Sequence, residues 1–129
     1  MNGYLLDTSV VLIASTVPEK LSPRIRRAVD AGPALLSTVS YREVTIKAMK
    51  GGLDLGNPRV WWAETLEALG LQPLMLNPRH IAAVCDLPPI HQDPFDRALI
   101  AQAIEEDLTL LTTDRLIPRY ASPRLRVIQ

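Results

Sequence analysis

Short apolar runs alternate along this chain with segments of helical period. "YLLD" (4–7), "ALLST" (34–38), "LTLLTTD" (108–114) and "LRVIQ" (125–129) read as strands, and "LQPLML" (71–76) as a strand or an extended connector. Ser9 is placed to cap a short helix after the first run. Arg24 to Ala31 carries Ile25, Ala28 and Val29 at helical spacing and stops at Gly32-Pro33. Tyr41, Val44 and Ala48 mark one face of a helix that ends at Gly51-Gly52. Pro58 opens another, with Trp62, Leu66 and Leu69 on one stripe, and Gly70 ends it. Pro78 starts a short helix reaching Cys85, and Pro88-Pro89 breaks the chain. Phe95 to Glu106 is the most regular helix, with Phe95, Ala98, Leu99 and Ala103 on one face and Ile100 and Ile104 beside them, a pattern that predicts deep burial. Strand and helix in this order predict an α/β fold, a parallel sheet with helices on both faces.

At 129 residues the chain has the size of one domain, and we expect a single domain over 1–129. Hydrophobic residues at 47% and charged residues at 22% suit a folded globular protein rather than a disordered one. Fourteen basic and fourteen acidic residues balance, which excludes nucleic-acid binding by bulk charge while leaving room for a local basic rim. Eleven of the basic residues are arginine; Arg24, Arg26 and Arg27, and Arg115, Arg119, Arg124 and Arg126, read as solvated surface. The single cysteine, Cys85, excludes an internal disulfide and is expected to be a buried apolar residue. No apolar run approaches the ~18 residues of a membrane span. Asp7 interrupts the first apolar stretch, so no signal peptide is expected and a cytoplasmic setting fits.

The acids sit where a parallel sheet would gather ligands, beyond the carboxyl ends of its strands. Asp7 closes the first strand and Asp114 the fourth; Glu43 lies early in the helix after the second strand. In "HQDPFDRALIAQA" (91–103), Asp93 and Asp96 flank Pro94-Phe95. Extended chain from Pro88 to Gln92 is long enough to bring the following helix to the same edge. All of these acids but Asp7 also have a ready structural explanation. Ser40 and Glu43 match a capping box. Asp93 suits an N-cap with Pro94 at the first helical position, and Asp96 then sits where the helix dipole favours negative charge. Asp114 can cap a turn at Arg115 to Ile117. Asp7 has no evident structural task. Taken together the carboxylates need an offset, because two unit charges ~4 Å apart cost about 4 kcal/mol at an effective dielectric of 20. A hard divalent cation, Mg²⁺ or Mn²⁺, removes that cost, holds phosphates, and generates a nucleophile from water for in-line attack.

"LLDTSVVL" (5–12), "STVSYREVTIK" (37–47), "HQDPFDRALIAQAIEEDLTLLTTD" (91–114) and the terminal "RVIQ" resemble the PIN-domain family, and in particular its VapC-type ribonuclease toxins of toxin–antitoxin pairs. The third block is the most specific, and residues 51–72 carry no diagnostic motif. The resemblance implies a three-layer α/β/α sandwich on a mainly parallel central sheet. It implies Mg²⁺- or Mn²⁺-dependent endoribonuclease activity, with RNA phosphodiesters hydrolysed by metal-activated water. It assigns Asp7, Glu43, Asp96 and Asp114 to the catalytic acids, Asp7 and Asp96 as metal ligands, Glu43 acting through water, and Asp114 completing the set. Thr8, Ser9, Asp93 and Thr112 become supporting residues, Asp93 chiefly as a helix cap. His91 reads as an entry-loop or packing residue before an acid–base group. The family further implies a homodimer, RNA as substrate, and a cognate antitoxin whose tail covers the acidic groove. Trp61 and Trp62 are a place to look for partner contact, with core packing as the equal alternative.

Two other readings stay open: a PIN-domain nuclease in RNA processing without an antitoxin, and a non-catalytic metal- or phosphate-binding α/β module. A receiver-like phosphoacceptor would want a lysine ending its last strand, and none follows Lys50. An aspartyl phosphatase would want a second acid two residues after Asp7, where Ser9 stands. P-loop, GxGxxG, GxSxG and HExxH motifs are absent.

Overall fold

A computed structural model describes residues 3–129. Five strands, β1 (Tyr4–Leu6), β2 (Ala34–Ser37), β3 (Leu71–Leu74), β4 (Thr109–Leu111) and β5 (Val127–Ile128), form one sheet in the order β3-β2-β1-β4-β5. Every neighbouring pair is parallel. Six α-helices join them: α1 (Thr8–Thr16), α2 (Pro23–Ala31), α3 (Thr38–Met49), α4 (Pro58–Leu69), α5 (Pro78–Ala83) and α6 (Pro94–Glu105).

Period-two alternation divides the core between the two sheet faces. Leu6, Leu36 and Leu111 pack on one side with Val10 and Val11 of α1, Ile25 of α2 and Trp61 of α4. Leu5 and Leu110 pack on the other with Leu99, Ile100 and Ala103 of α6 and with Ile117 and Leu125. Leu5, Leu6, Leu110 and Leu111 are wholly buried, so neither face of the central strands meets water. That is why these strands read as continuous apolar runs rather than alternating ones. Each such leucine contributes roughly 1.5–3 kcal/mol of burial.

The strand order positions the site. From β1 the chain builds outward through β2 to β3, then crosses back to place β4 on the other flank of β1 and β5 beyond it. The direction of winding reverses at β1, and a cleft opens beyond the carboxyl ends of β1 and β4. Asp7 directly follows β1, and Asp114 lies three residues beyond β4.

Helix starts follow local rules, with two corrections. Asp93 caps α6 as expected, accepting from the Phe95 and Asp96 amides, with Pro94 in the first turn. Pro58 and Pro78 likewise open α4 and α5, and Gly70 ends α4 in the left-handed conformation at φ 65°. Ser9, however, does not cap α1. Asp7 does, taking the Val10 amide, so this acid has a structural task after all. The Ser40–Glu43 capping box is not formed either. Helix α3 begins a turn earlier, capped by Ser37, whose hydroxyl takes the Val39 amide. Ser40 therefore lies inside the helix, and its hydroxyl accepts a hydrogen bond from Thr8 at 2.9 Å.

Cys85 is exposed, not buried. Helix α5 gives way at Val84 to a tight 3₁₀ turn, Val84–Asp86, and Cys85, four residues after exposed Ile81 and five after buried His80, stays on the solvent side. What α5 buries instead is His80, joined to Glu106 at 2.7 Å and to Gln102 at 3.3 Å. Trp61 is in the core, and Trp62 stacks on Tyr41 with centroids 4.6 Å apart and planes 7° from parallel. The arginines at 24, 26, 27, 115, 119, 124 and 126 are exposed. No helix among the described residues is long and apolar enough to cross a membrane.

Candidate active site

A cleft of about 260 Å³ is lined by Asp7, Thr8, Ser9, Leu12, Glu43, Lys47, Asp93, Asp96 and Asp114. Its walls are the start of α1, the middle of α3, the first turn of α6 and the loop after β4. All four acids singled out in the sequence reach it, together with Asp93.

Asp7 is the most fixed of them. It is 2% exposed. Its Oδ1 accepts from the Val10 amide and the Ser9 hydroxyl, each at 2.8 Å, and the Thr112 hydroxyl donates to its Oδ2. Burial raises its pKa above the ordinary carboxylate value. The three donors pull the other way, and Asp114 adds a small upward push. Ser9 and Thr112 thus support the acid as expected. The Thr8 hydroxyl donates instead to Ser40 and ties α1 to α3. Thr112 also accepts from the Asp114 amide at 2.9 Å, so one hydroxyl couples Asp7 to the loop carrying Asp114.

Glu43 is buried to within 6%. Its Oε2 lies 2.9 Å from Lys47 Nζ. Its Oε1 is buried and has no hydrogen-bond partner. Asp114 Oδ1 accepts from the Leu116 and Ile117 amides at 2.7 and 3.3 Å, the turn cap anticipated for it. Asp93 spends Oδ1 on its cap, and that cap sets the first turn of α6, in which Asp96 stands.

Asp96 carries the clearest electrostatic signature. Burial and the neighbouring Asp93 and Asp7 carboxylates push its pKa to about 7, with Glu43 adding to the rise and His91 opposing it. The carboxylates are packed closely enough that one resists ionisation.

His91 belongs to this cluster more directly than its expected entry-loop role suggests. Its Nε2 lies 2.8 Å from Asp96 Oδ2, without the alignment of a hydrogen bond, and 3.4 Å from Asp114 Oδ2. One ligand atom from each of these three residues lies within 4.8 Å of the others. The loop that delivers His91 is clamped: Arg97 Nη1 donates to Pro88 O at 3.0 Å and Arg97 Nη2 to Val84 O at 3.3 Å. Tyr120 donates its hydroxyl proton to Pro88 O at 3.0 Å and accepts the His91 amide at 2.8 Å. Sequence reasoning also passed over Lys47, though its spacing of four from Glu43 on one helix was a usable signal.

The residues present suit a hard divalent cation. The donor set is mostly carboxylate oxygen, one buried carboxylate oxygen of Glu43 has no donor, and the charge of Asp96 is opposed by its neighbours. Asp7 Oδ2, Asp96, Glu43 Oε1 and Asp114 Oδ2 are the oxygens available, and His91 offers a nitrogen beside them.

The PIN domain family model matches residues 4–123 of the chain. Ribonuclease VapC22 of Mycobacterium tuberculosis is 29% identical over 126 residues, 96% of each protein. Among solved structures, VapBC2 from Rickettsia felis bound to a promoter DNA fragment aligns at a TM-score of 0.70 and 16% identity, covering 97% of this chain and 96% of that one. FitAcB from Neisseria gonorrhoeae aligns at 0.66 and 20% identity, covering 98% and 96%. VapBC from Salmonella typhimurium bound to DNA aligns at 0.71 and 18%, covering 99% and 98%. At these identities the structural likeness is one of fold.

Proposed function

The chain belongs to the PIN-domain family, and from that premise we propose that it is a divalent-metal-dependent endoribonuclease, the toxin of a toxin–antitoxin pair, built as one domain. The observation that carries the reading is the convergence of Asp7, Glu43, Asp96 and Asp114 on one cleft at the switch point of a parallel sheet. The 29% identity to a ribonuclease over nearly the whole chain supports it, and the fold it shares with VapBC complexes supports the antitoxin partner.

Each residue has a task in this scheme. Asp7, locked by Ser9, Thr112 and the α1 amide, and Asp96, aimed by the Asp93 cap, would hold the ion, Mg²⁺ or Mn²⁺. Glu43 lines the cleft and carries a buried Oε1 with no donor among the described residues, and Asp114 would complete the set from the loop after β4. When bound, such an ion neutralises the carboxylates and polarises a phosphodiester for attack by water. Buried and held by their neighbours, Asp7 and Glu43 need little reorganisation to act. With balanced net charge, RNA is held by contacts around the cleft rather than by a bulk field. A homodimer, an antitoxin tail over the acidic groove, and a cytoplasmic location complete the proposal.

The test is direct. The purified protein is expected to cleave total bacterial RNA with Mg²⁺ or Mn²⁺ and not in EDTA, and Asp96→Asn is expected to abolish cleavage. Expression of the wild type alone is expected to arrest growth, and expression of Asp7→Ala is not. Full cleavage in EDTA would sink the metal-dependent reading. Activity in vitro without growth arrest would favour an RNA-processing nuclease without an antitoxin.

A further inference from the structure

Five acids line the cleft, and among the described residues one basic side chain, Lys47, lines it with them. Its place is unusual. Lys47 is half exposed, at 52% of its side chain, while its partner Glu43 is only 8% exposed. An i,i+4 pair with glutamate on the N-terminal side is the better orientation on a helix, and α3 supplies it here. Exposed pairs of this kind contribute little to stability. This one does something more definite, because it divides the carboxylate. Oε2 is held at 2.9 Å by the ammonium. Oε1 is buried with no donor among the described residues. The two oxygens are equivalent, so what the ammonium sets is the plane of the carboxylate, with one oxygen on Nζ and the other at the buried position.

Lys47 also feels the rest of the cleft. Its pKa is raised, first by the bond to Glu43 and further by the Asp93 and Asp96 charges, so it stays an ammonium throughout the working range.

We propose that Lys47 is a positioning residue: by taking Oε2 it fixes the Glu43 carboxylate so that Oε1 faces the divalent ion or the water beside it. The role rests on the metal-dependent reading above, and it acts through Glu43 rather than by touching RNA. Outer-shell partners of this kind typically govern 10- to 100-fold of activity.

The sign of the effect on metal binding separates positioning from simple charge balance. Removing a cation from an acidic cleft strengthens its attraction for a divalent ion. In Lys47→Met, Mn²⁺ binding read by electron paramagnetic resonance is therefore expected to be no weaker than in the wild type. Cleavage of total bacterial RNA at saturating Mn²⁺ is expected to fall about 10- to 100-fold. The line shape of bound Mn²⁺ is expected to change in Lys47→Met and to return in Lys47→Arg, whose guanidinium can also hold Oε2, with most of the rate restored. The double variant Glu43→Gln/Lys47→Met is expected to be no slower than Glu43→Gln alone, because a residue acting only through Glu43 has nothing left to lose. Rate losses that multiply in the double variant would show an independent contact to substrate and overturn the proposal. Tighter Mn²⁺ binding with undiminished rate would reduce Lys47 to a counter-charge and overturn it too. Both outcomes require an active wild type that binds Mn²⁺. A wild type that cuts RNA fully in EDTA fails the ribonuclease reading itself, by a different measurement.

Discussion

Replacing Asp96 with asparagine separates what the carboxylate does for the metal-free fold from what it does for chemistry. Its pKa rises from 3.8 to about 7 on folding, because burial and the Asp93, Asp7 and Glu43 carboxylates oppose its charge. A raised carboxyl means that the native state binds the proton more tightly than the unfolded chain. Stability therefore falls as pH rises between those two values. Between pH 5 and pH 8 the loss from this group comes to roughly 2–3 kcal/mol at most, since the open side of the cleft screens part of it. Asp7 is shifted in the same direction and adds to the slope. Glu106 is shifted the other way, by His80 first, but it is mostly ionised in both states in this window, so it opposes the slope only slightly near pH 5. The measurement is urea unfolding of the metal-free protein in EDTA at pH 5 and pH 8. With a slope of roughly 1–3 kcal/mol per molar urea, the wild-type midpoint is expected to drop by roughly 1–2 M on going to pH 8. Asp96→Asn is expected to lose most of that drop, and to be more stable than the wild type at pH 8. Mg²⁺ added at pH 8 is expected to restore the wild type and to do little for the variant. A wild type equally stable at both pH values, or a variant with the same slope, would refute the account of a carboxylate held against its neighbours.

The remaining predictions test the loop and the surface. Tyr120→Phe removes the hydroxyl that bridges the His91 amide and Pro88 O. It is expected to cost about 1–3 kcal/mol in chemical denaturation and to lower cleavage by letting His91 drift from Asp96; an unchanged midpoint would mean that Arg97 holds the loop alone. Cys85 is expected to react fully with Ellman's reagent in the folded protein, and labelling only after denaturation would contradict its exposed place in the 3₁₀ turn.

Much of the architecture is legible in the chain because the rules involved are local. Asp93-Pro94, Pro58 and Gly70 mark helix ends through rules that span two to four residues. The apolar runs that became β1, β2 and β4 announce strands buried on both faces, and their alternation with helices announces a parallel sheet. The acids themselves could be picked out as candidates from their positions at element ends. Tertiary structure alone decided the rest. Asp7, Glu43, Asp96 and Asp114 converge because the chain reverses its winding at β1, and no bond within four residues records that crossover. Whether Asp7 or Ser9 capped α1, and whether Ser40 capped α3 or met Thr8 across helices, depended on where β1 and β2 stopped in the sheet. Which side of α5 faces α6, and so that His80 is buried and Cys85 exposed, was set by packing. His91, brought to Asp96 by a clamp from Arg97 and Tyr120, and the Glu43 oxygen left without a donor, both depend on burial. Burial is a property of the packed molecule, and it is burial that turns a helix-start aspartate into a group that titrates near 7.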